Sequence, residues 1–444
     1  MSFEKAASYL DSLGVDLMRS RPPSLHRMEA MCAALDHPER SVPAIHITGT
    51  NGKSSTARLA TSLLASTGLT VGTYTSPHLT TVRERIALNG EPLSEAAFGA
   101  AFDHFRPYLQ VVEKELDEKL SYFEVLTALF FLWAVEAPVD ALVVEVGMGG
   151  KWDATNVVNA PVAVITGVAL DHTSYLGDRP EKIAEEKAGI VKEGAVVVTG
   201  ERSPGVLAVI SAHAARVGAT VAAIDRDFAV VDNRVAFGGR YLASSTSAGE
   251  HEGLFLAVHG AHQGANAVVA LEACARFLGS RPLDHEVVAG AFSTTSIPGR
   301  LEAFNPGGPE GPTVVLDVAH NPQAMSALVT SLVEAFAFEH VHFVIGVLSD
   351  KDYRGMFTEL RRLPCTITLT RPANVRSVPT SELEAAAAEL GLHTALEPDV
   401  ASATAAAMRT ASPGTLVCVT GSHYVVGEAR PGLIEDESQG GSHG

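Results

Sequence analysis

Gly49-Thr50-Asn51-Gly52-Lys53-Ser54-Ser55 follows the apolar run Ala44 to Ile47 and precedes the helix-prone stretch Thr56 to Ala65. Strand, glycine-rich loop and helix in that order open an α/β sheet and make a seat for a polyphosphate. Glycines let successive N–H groups turn toward an anion at the positive end of the next helix, a lysine neutralises it, and a hydroxyl can hold Mg²⁺. ATP or GTP is the expected ligand. The loop is shorter than G-x-x-x-x-G-K-[ST], because Ile47 stands where the first glycine belongs. A chance G-K-S in a glycine-rich turn is the bland alternative; the flanking strand and helix weigh against it.

Outward from this loop, short β-branched runs alternate with longer helical patterns, the sign of a mostly parallel sheet with helices on both faces. Strands are expected at Ala44 to Thr48, Thr70 to Tyr74, Ala141 to Val146, Val162 to Thr166 and Ala195 to Thr199, with helices at Glu95 to Gln110, Phe123 to Val135 and Pro180 to Val191. Ligands bind such sheets at the carboxyl ends of the strands. At those ends stand the phosphate loop, Ser76-Pro77-His78, Glu145 and Asp171-His172. The stretch Thr294 to Arg300 breaks both periodicities and marks a connector. Beyond it a second, smaller α/β pattern of Rossmann-like type begins, with strands at Thr313 to Leu316, His342 to Val347, Cys365 to Thr370 and Thr415 to Thr420. Asn321 is placed to cap a helix over Gln323 to Phe336, with Pro322 at its first position. The expected division is 1–295, a hinge at 296–300, 301–432 and a frayed acidic tail at 433–444.

Composition narrows the function classes. At 444 residues, 46% apolar and 19% charged, the chain can bury about two or three cores. A net charge of -18 argues against coating nucleic acid, which needs clustered Lys and Arg. No run reaches the ~18 apolar residues of a membrane span, and Met1 to Leu10 lacks a signal-peptide core, so a cytoplasmic protein free of membrane partners is expected. Cys32, Cys274, Cys365 and Cys418 form no C-x-x-C pair and read as buried thiols.

Mg²⁺ bound with phosphate takes one or two carboxylates and keeps water or substrate oxygens. Glu145, closing Ala-Leu-Val-Val-Glu ahead of Gly147-Met148-Gly149-Gly150, suits that role; the competing reading is an ordinary strand-end glutamate. His172 alone would more often be structural, and Lys187 alone reads as a solvated helix lysine.

Taken together, the motifs resemble the Mur ligase superfamily, specifically the folylpolyglutamate and dihydrofolate synthases. The resemblance rests on GTNGKSS at Gly49, TSPHL at Thr75, RERI at Arg83, YFEVLTAL at Tyr122, EVGMGGKWDATN at Glu145, LDHTSYLG at Leu170, EKAGI at Glu186, HGAHQGANAVVAL at His259, PGRLE at Pro298 and DVAHNP at Asp317. It implies an ATP-dependent ligase that adds L-glutamate to a reduced folate, and to dihydropteroate, through an acyl phosphate. Gly49, Thr50, Asn51, Gly52, Lys53, Ser54 and Ser55 would bind ATP with Asn266, Arg300, Asp317 and His320. Ser54, Ser76 and Glu145 would serve one Mg²⁺. Glu145, His172 and a carbamylated Lys187 would serve a second, with K⁺ a further candidate. An ammonium cannot ligate a cation, whereas a carbamate can. Lys53, Lys187, His172 and His320 are the expected catalytic group. His78, Arg85, Phe123 and Asp153 fall on the acceptor side, and Ser422 on that of the incoming glutamate. Closure about Ile297 to Arg300 would shield the acyl phosphate from water, and a monomer is expected. Lys151 and Trp152 depart from the family's usual arginine and aliphatic residue, and Val318 from its glycine or alanine; none removes a ligand.

Two rival readings stay open. Peptidoglycan-building Mur ligases share the chemistry but carry a UDP-sugar domain ahead of the phosphate loop, where this chain has 48 residues before Gly49. A nucleotide-operated binding module would turn over nucleotide without regard to folate or glutamate.

Overall fold

The computed structural model describes residues 2–14, 24–171, 173–306 and 311–440, the side chains of 173, 174 and 436–440 excepted. The chain divides into two compact units, one of residues 1–232, 242–255 and 264–295, the other of 233–241, 256–263 and 296–444.

The first unit is built on eight strands: β1 (Ala44–Thr48), β2 (Val71–Tyr74), β3 (Ile86–Leu88), β4 (Glu91–Pro92), β5 (Ala141–Glu145), β6 (Val162–Ile165), β7 (Val196–Thr199) and β8 (Thr220–Ala223). They run in the order β4-β3-β2-β5-β1-β6-β7-β8. From β2 to β8 every pairing is parallel, while β3 and β4 add an antiparallel edge. Every residue of β1 and β5 is buried, as a central parallel strand covered on both faces requires. The helix Tyr122–Glu136 starts where Ser121 accepts from the Glu124 amide and Glu124 returns to the Ser121 amide, a reciprocal cap. It is buried nearly all round, with Phe130, Phe131, Leu126 and Leu129 in an apolar cluster that also takes in Phe98, Phe102 and Phe105. The helix Pro180–Ala188 ends at Gly189, three residues short of the expected Val191.

Three strands had no counterpart among the sequence expectations: β9 (Ala229–Ala236), β10 (Gly239–Thr246) and β11 (Gly249–Leu256), a sheet in the order β11-β10-β9. Residues 233–241 and 256–263, around the β9–β10 turn and after β11, belong to the second unit. Arg240, only 1% exposed, anchors them there, with Nη1 2.8 Å from Glu334 Oε2 and Nη2 2.9 Å from the Asn233 carbonyl.

The second unit's sheet holds β12 (Glu302–Phe304), β13 (Val314–Leu316), β14 (His340–Ile345), β15 (Cys365–Leu369), β16 (Thr394–Leu396) and β17 (Thr415–Thr420), in the order β12-β13-β17-β14-β15-β16. Only β12 is antiparallel. Asn321 caps the helix Pro322–Ala335 by accepting from the Ala324 amide, and Pro322 opens it as expected. The helix His423–Gly440 runs on where the sequence suggests a frayed tail from residue 433; residues 441–444 lie outside the described part. Cys32, Cys274 and Cys418 are buried and Cys365 partly so, all as free thiols. Among the described residues no helix is long and apolar enough to cross a membrane.

Candidate active site

The sheet order places β2, β5, β1 and β6 side by side, so the segments leaving their carboxyl ends converge. The loop after β1 crosses to the helix Lys53–Ser66 through Gly49 at φ 152° and Gly52 at φ 85°. A Cβ on Gly49 would lie 1.9 Å from Thr166 Oγ1, and one on Gly52 would lie 2.6 Å from Asn266 Oδ1. Only glycine fits either place, and Asn266 is thereby fixed against the loop. Thr50 bonds both ways with Ala169, its hydroxyl giving to the carbonyl at 3.1 Å and taking from the amide at 3.0 Å. The carbonyl of Asn51 accepts from Thr166 at 2.7 Å. The loop carbonyls are thus occupied by the protein. Ser55 is buried at the start of the helix.

Glu145, 1% exposed at the end of β5, accepts from the Ser54 hydroxyl at 2.8 Å and from the Ser76 amide at 3.0 Å. A buried carboxylate held by the hydroxyl that follows the loop lysine is a donor set suited to Mg²⁺. Among the described residues no three His, Cys, Asp or Glu side chains gather into a cage.

Lys187 overturns the bland reading of a solvated helix lysine. It is 3% exposed, and its Nζ donates to the Gly49 carbonyl at 2.8 Å. Lys53 Nζ donates to the same carbonyl at 3.1 Å and to that of Thr50 at 3.2 Å. Burial, with the Lys53 charge adding to it, pulls the Lys187 amine down to about 7. His172 lies outside the described residues.

Asp153 is buried behind the glycine-rich turn that follows Glu145. Its Oδ2 accepts from the Met148 amide at 3.0 Å, its Oδ1 from the Thr155 amide and hydroxyl at 3.0 and 2.6 Å. Burial raises its pKa against those bonds. The turn is also tied to the helix of Lys187, since the Lys151 amide donates to the Glu186 carbonyl at 3.0 Å. A Cβ on Gly150 would meet the Glu186 and Lys187 carbonyls at 2.8 Å.

On the other side of Glu145 the acceptor candidates form a connected group. Phe123 packs so closely on Gly147 that a Cβ there would lie 2.6 Å from the ring. Tyr74 has its ring centroid 5.8 Å from that of Phe123. Arg85 donates to His78 Nδ1 at 2.9 Å and lies 5.1 Å over the Tyr122 ring. Burial and the Arg85 charge hold His78 down at about 4, so its ring is neutral and accepts.

In the second unit Asp317 follows β13, buried, accepting from the Leu301 amide at 3.0 Å and the Ala319 amide at 2.8 Å. Burial raises its pKa, with the Arg300 charge opposing. The His320 ring lies 2.8 Å from the Val318 carbonyl and 5.3 Å, centroid to centroid, from that of His423. Ser422 is buried after β17, its hydroxyl accepting from the Val425 amide at 3.2 Å. A cavity of about 500 Å³ opens beside Arg300, lined among others by His259, Ile297, Phe237 and Phe336; that is within the size range of small-molecule pockets. Sequence reasoning missed a charged group after β14 and β15: Asp350 lies 3.8 Å from Lys351 Nζ and 3.5 Å from Arg376 Nη1. Its signal was the polar run Ser349 to Asp352 at a strand's carboxyl end.

Two family descriptions match most of the chain, "Mur ligase middle domain" over residues 47–274 and "Mur ligase, glutamate ligase domain" over residues 299–423. A dihydrofolate synthase/folylpolyglutamate synthase of Mycobacterium tuberculosis is 40% identical over 383 residues, spanning 83% of this chain and 78% of that protein. The folylpolyglutamate synthase of Lacticaseibacillus casei is 33% identical over 416 residues, 93% of this chain and 95% of the other. Among solved structures, Mycobacterium tuberculosis folylpolyglutamate synthase complexed with ADP matches with a TM-score of 0.91 at 37% identity, covering 97% of this chain and 98% of that one. A likeness that runs through both units and includes the loop, Glu145 and Lys187 leaves one assignment: the chain belongs to the Mur ligase family, in the branch of the folylpolyglutamate and dihydrofolate synthases.

Proposed function

We propose that the chain is an ATP-dependent ligase that joins L-glutamate to the carboxylate of a reduced folate, with dihydropteroate as a second acceptor. The observation that carries this reading is the phosphate loop bonded by two lysines at Gly49 beside the buried Glu145, in a chain whose similar proteins bear both folate-ligase names.

A carboxylate is a poor electrophile, so amide formation needs one of its oxygens turned into a leaving group. Transfer of the γ-phosphoryl of ATP gives an acyl phosphate; the glutamate amine attacks its carbonyl carbon, and phosphate leaves. Phosphoryl transfer depends on position and charge neutralisation, which accounts for a site of cations, amides and carboxylate. Lys53 and the amides from Thr50 to Ser55 hold the phosphates, and Asn266 keeps the loop in place. Mg²⁺, held by Ser54, Ser76 and Glu145, supplies charge neutralisation on the transferred group when bound. A second Mg²⁺ is served by Glu145, His172 and the carbamate of Lys187, and K⁺ is a candidate alongside. Arg300, Asp317 and His320 serve the nucleotide. His78, Arg85, Phe123 and Asp153 shape the place of the acceptor: with His78 Nδ1 taken by Arg85, the Nε2–H of the neutral ring and the remaining Arg85 N–H groups offer donors to a polar heterocycle. Ser422, with Lys351 and Arg376, receives glutamate, whose two carboxylates require cations. The same reading makes the protein a cytoplasmic monomer, which fractionation and sedimentation would check.

The deciding experiment measures ADP release with glutamate and ATP, offering tetrahydrofolate, dihydropteroate and a UDP-sugar acid in parallel. Turnover with the two pteroyl acids alone is expected. Turnover with the UDP-sugar, or ATP hydrolysis indifferent to both acceptor and glutamate, would refute it.

A further inference from the structure

Strand β1 carries His46 between Ile45 and Ile47, fully buried where an aliphatic residue would fill the space. Its Nδ1 has no hydrogen-bond partner among the described residues. An unmet buried acceptor costs about 1–3 kcal/mol, so strand stability does not account for the residue. The other ring nitrogen does. His46 Nε2 lies 2.8 Å from Thr155 Oγ1, which lies 2.6 Å from Asp153 Oδ1. The Thr155 hydroxyl has one proton, and so short an approach to a carboxylate requires it on that side. Nε2 must therefore carry the ring hydrogen and donate. The ring is neutral, since burial and the Lys192 charge push its pKa to about 3.

The relay ends on a backbone. Asp153 Oδ2 takes the Met148 amide, and two residues along β1 from His46 the Thr48 hydroxyl donates to the Gly149 carbonyl at 2.7 Å. Strand β1, which leads into the phosphate loop, thus grips the turn that follows Glu145 at two points.

We propose that His46 is a positioning residue: through the Thr155 hydroxyl it fixes the Asp153 carboxylate and, with it, the turn from Gly147 to Asp153 against which the acceptor acid is bound. The assignment of that turn to the acceptor rests on the ligase reading above. His46 touches no reacting atom; it acts on acceptor binding and leaves nucleotide binding alone.

The test pairs His46→Leu, which removes the donor, with His46→Gln, whose amide nitrogen reaches toward the Nε2 position. ADP release is followed with tetrahydrofolate, ATP and glutamate varied in turn. The KM for tetrahydrofolate is expected to rise about tenfold in His46→Leu, that for ATP to stay within about twofold, and His46→Gln to return the former to within about threefold. Thermal stability of His46→Leu should equal or exceed that of the wild type, because the orphan nitrogen is gone. An unchanged tetrahydrofolate KM, a parallel rise for ATP, or equal loss in both variants overturns the proposal. Should His46→Leu not fold, Thr155→Val against Thr155→Ser reads the same link. If the wild type releases no ADP with either pteroyl acid, the ligase reading fails and the relay is judged separately by nitrogen-15 NMR of histidine-labelled protein. An Nε2–H neutral ring at about pH 6 is expected; an Nδ1–H tautomer or a protonated ring there overturns it.

Discussion

Lys53 and Lys187 meet at a single backbone atom: both donate to the carbonyl oxygen of Gly49, at 3.1 and 2.8 Å. Two ammonium groups so close, one of them buried, cannot both be comfortable, and the buried one yields, falling to about 7. Its neutral fraction grows as pH rises through that value. A neutral amine can attack CO₂ through its lone pair and lose its proton to water, leaving a carbamate. Activity is therefore expected to depend on bicarbonate and to climb with pH between about 6 and 8, and Lys187→Met to fall by at least about 100-fold. Carbon-13 NMR with labelled bicarbonate would show the carbamate; a spectrum with only free lysine at full activity would exclude it.

Glu145 offers a sharper separation of folding from chemistry. Glu145→Gln keeps the shape that meets Ser54 and Ser76 but removes the charge a divalent cation needs. Glutamate-dependent ADP release is expected to drop about 100-fold or more, and Lys53→Ala likewise. Circular dichroism should be unchanged in both. Turnover near the wild-type rate in either would defeat the assignment.

Acid should loosen the first unit in a defined window. The ring of His46 is depressed to about 3 and that of His78 to about 4, from an ordinary 6.5. Depressed bases take up protons in the unfolded chain first, so their contribution is intact above 6.5 and is lost as pH falls toward 4. Asp153 and Asp317, raised above 3.8 by burial, act in the opposite sense and favour folding as pH falls. Melting curves from pH 7 to pH 4.5 should show a declining midpoint, and His46→Gln should flatten the decline. An unchanged slope in that variant would show that His46 is not among the groups responsible.

The sequence made the phosphate loop and the central strands legible because both are dense in local signal: β1 and β17 fall where the apolar runs do, and Asn321-Pro322 fixes a helix start. Strand β9 escaped notice because Asp232, Asn233 and Arg234 interrupt its alternation, and β10 and β11 because each opens on a glycine and carries polar residues in succession, Ser244-Ser245-Thr246 and Glu250-His251-Glu252. Lys187 gave no local hint of burial, since the helix Pro180–Ala188 reads as charged; the side chain is hidden by the turn from Gly147 to Lys151 against it, a contact between segments far apart in sequence. The group of Asp350, Lys351 and Arg376 exists only because β14 and β15 are neighbours.

The buried guanidinium of Arg240 permits a stability test outside the site. Glu334→Ala would leave it without its carboxylate, and since the Glu334 side chain is 37% exposed the expected cost is about 2 kcal/mol, below the about 3–5 of a fully buried pair. Urea denaturation would measure it. A change under about 0.5 kcal/mol would mean that Asn233 alone satisfies the arginine.

Residues 233–241 and 256–263 complete the second unit from upstream of residue 296. A gene fragment starting at Ser296 therefore encodes an incomplete fold, and a protease that severs the peptide after Thr295 leaves the second unit parted from two of its own stretches. Recombination between relatives keeps a working protein only when three stretches travel together, so the lineage of the glutamate-handling portion is tied to that of its nucleotide-handling partner.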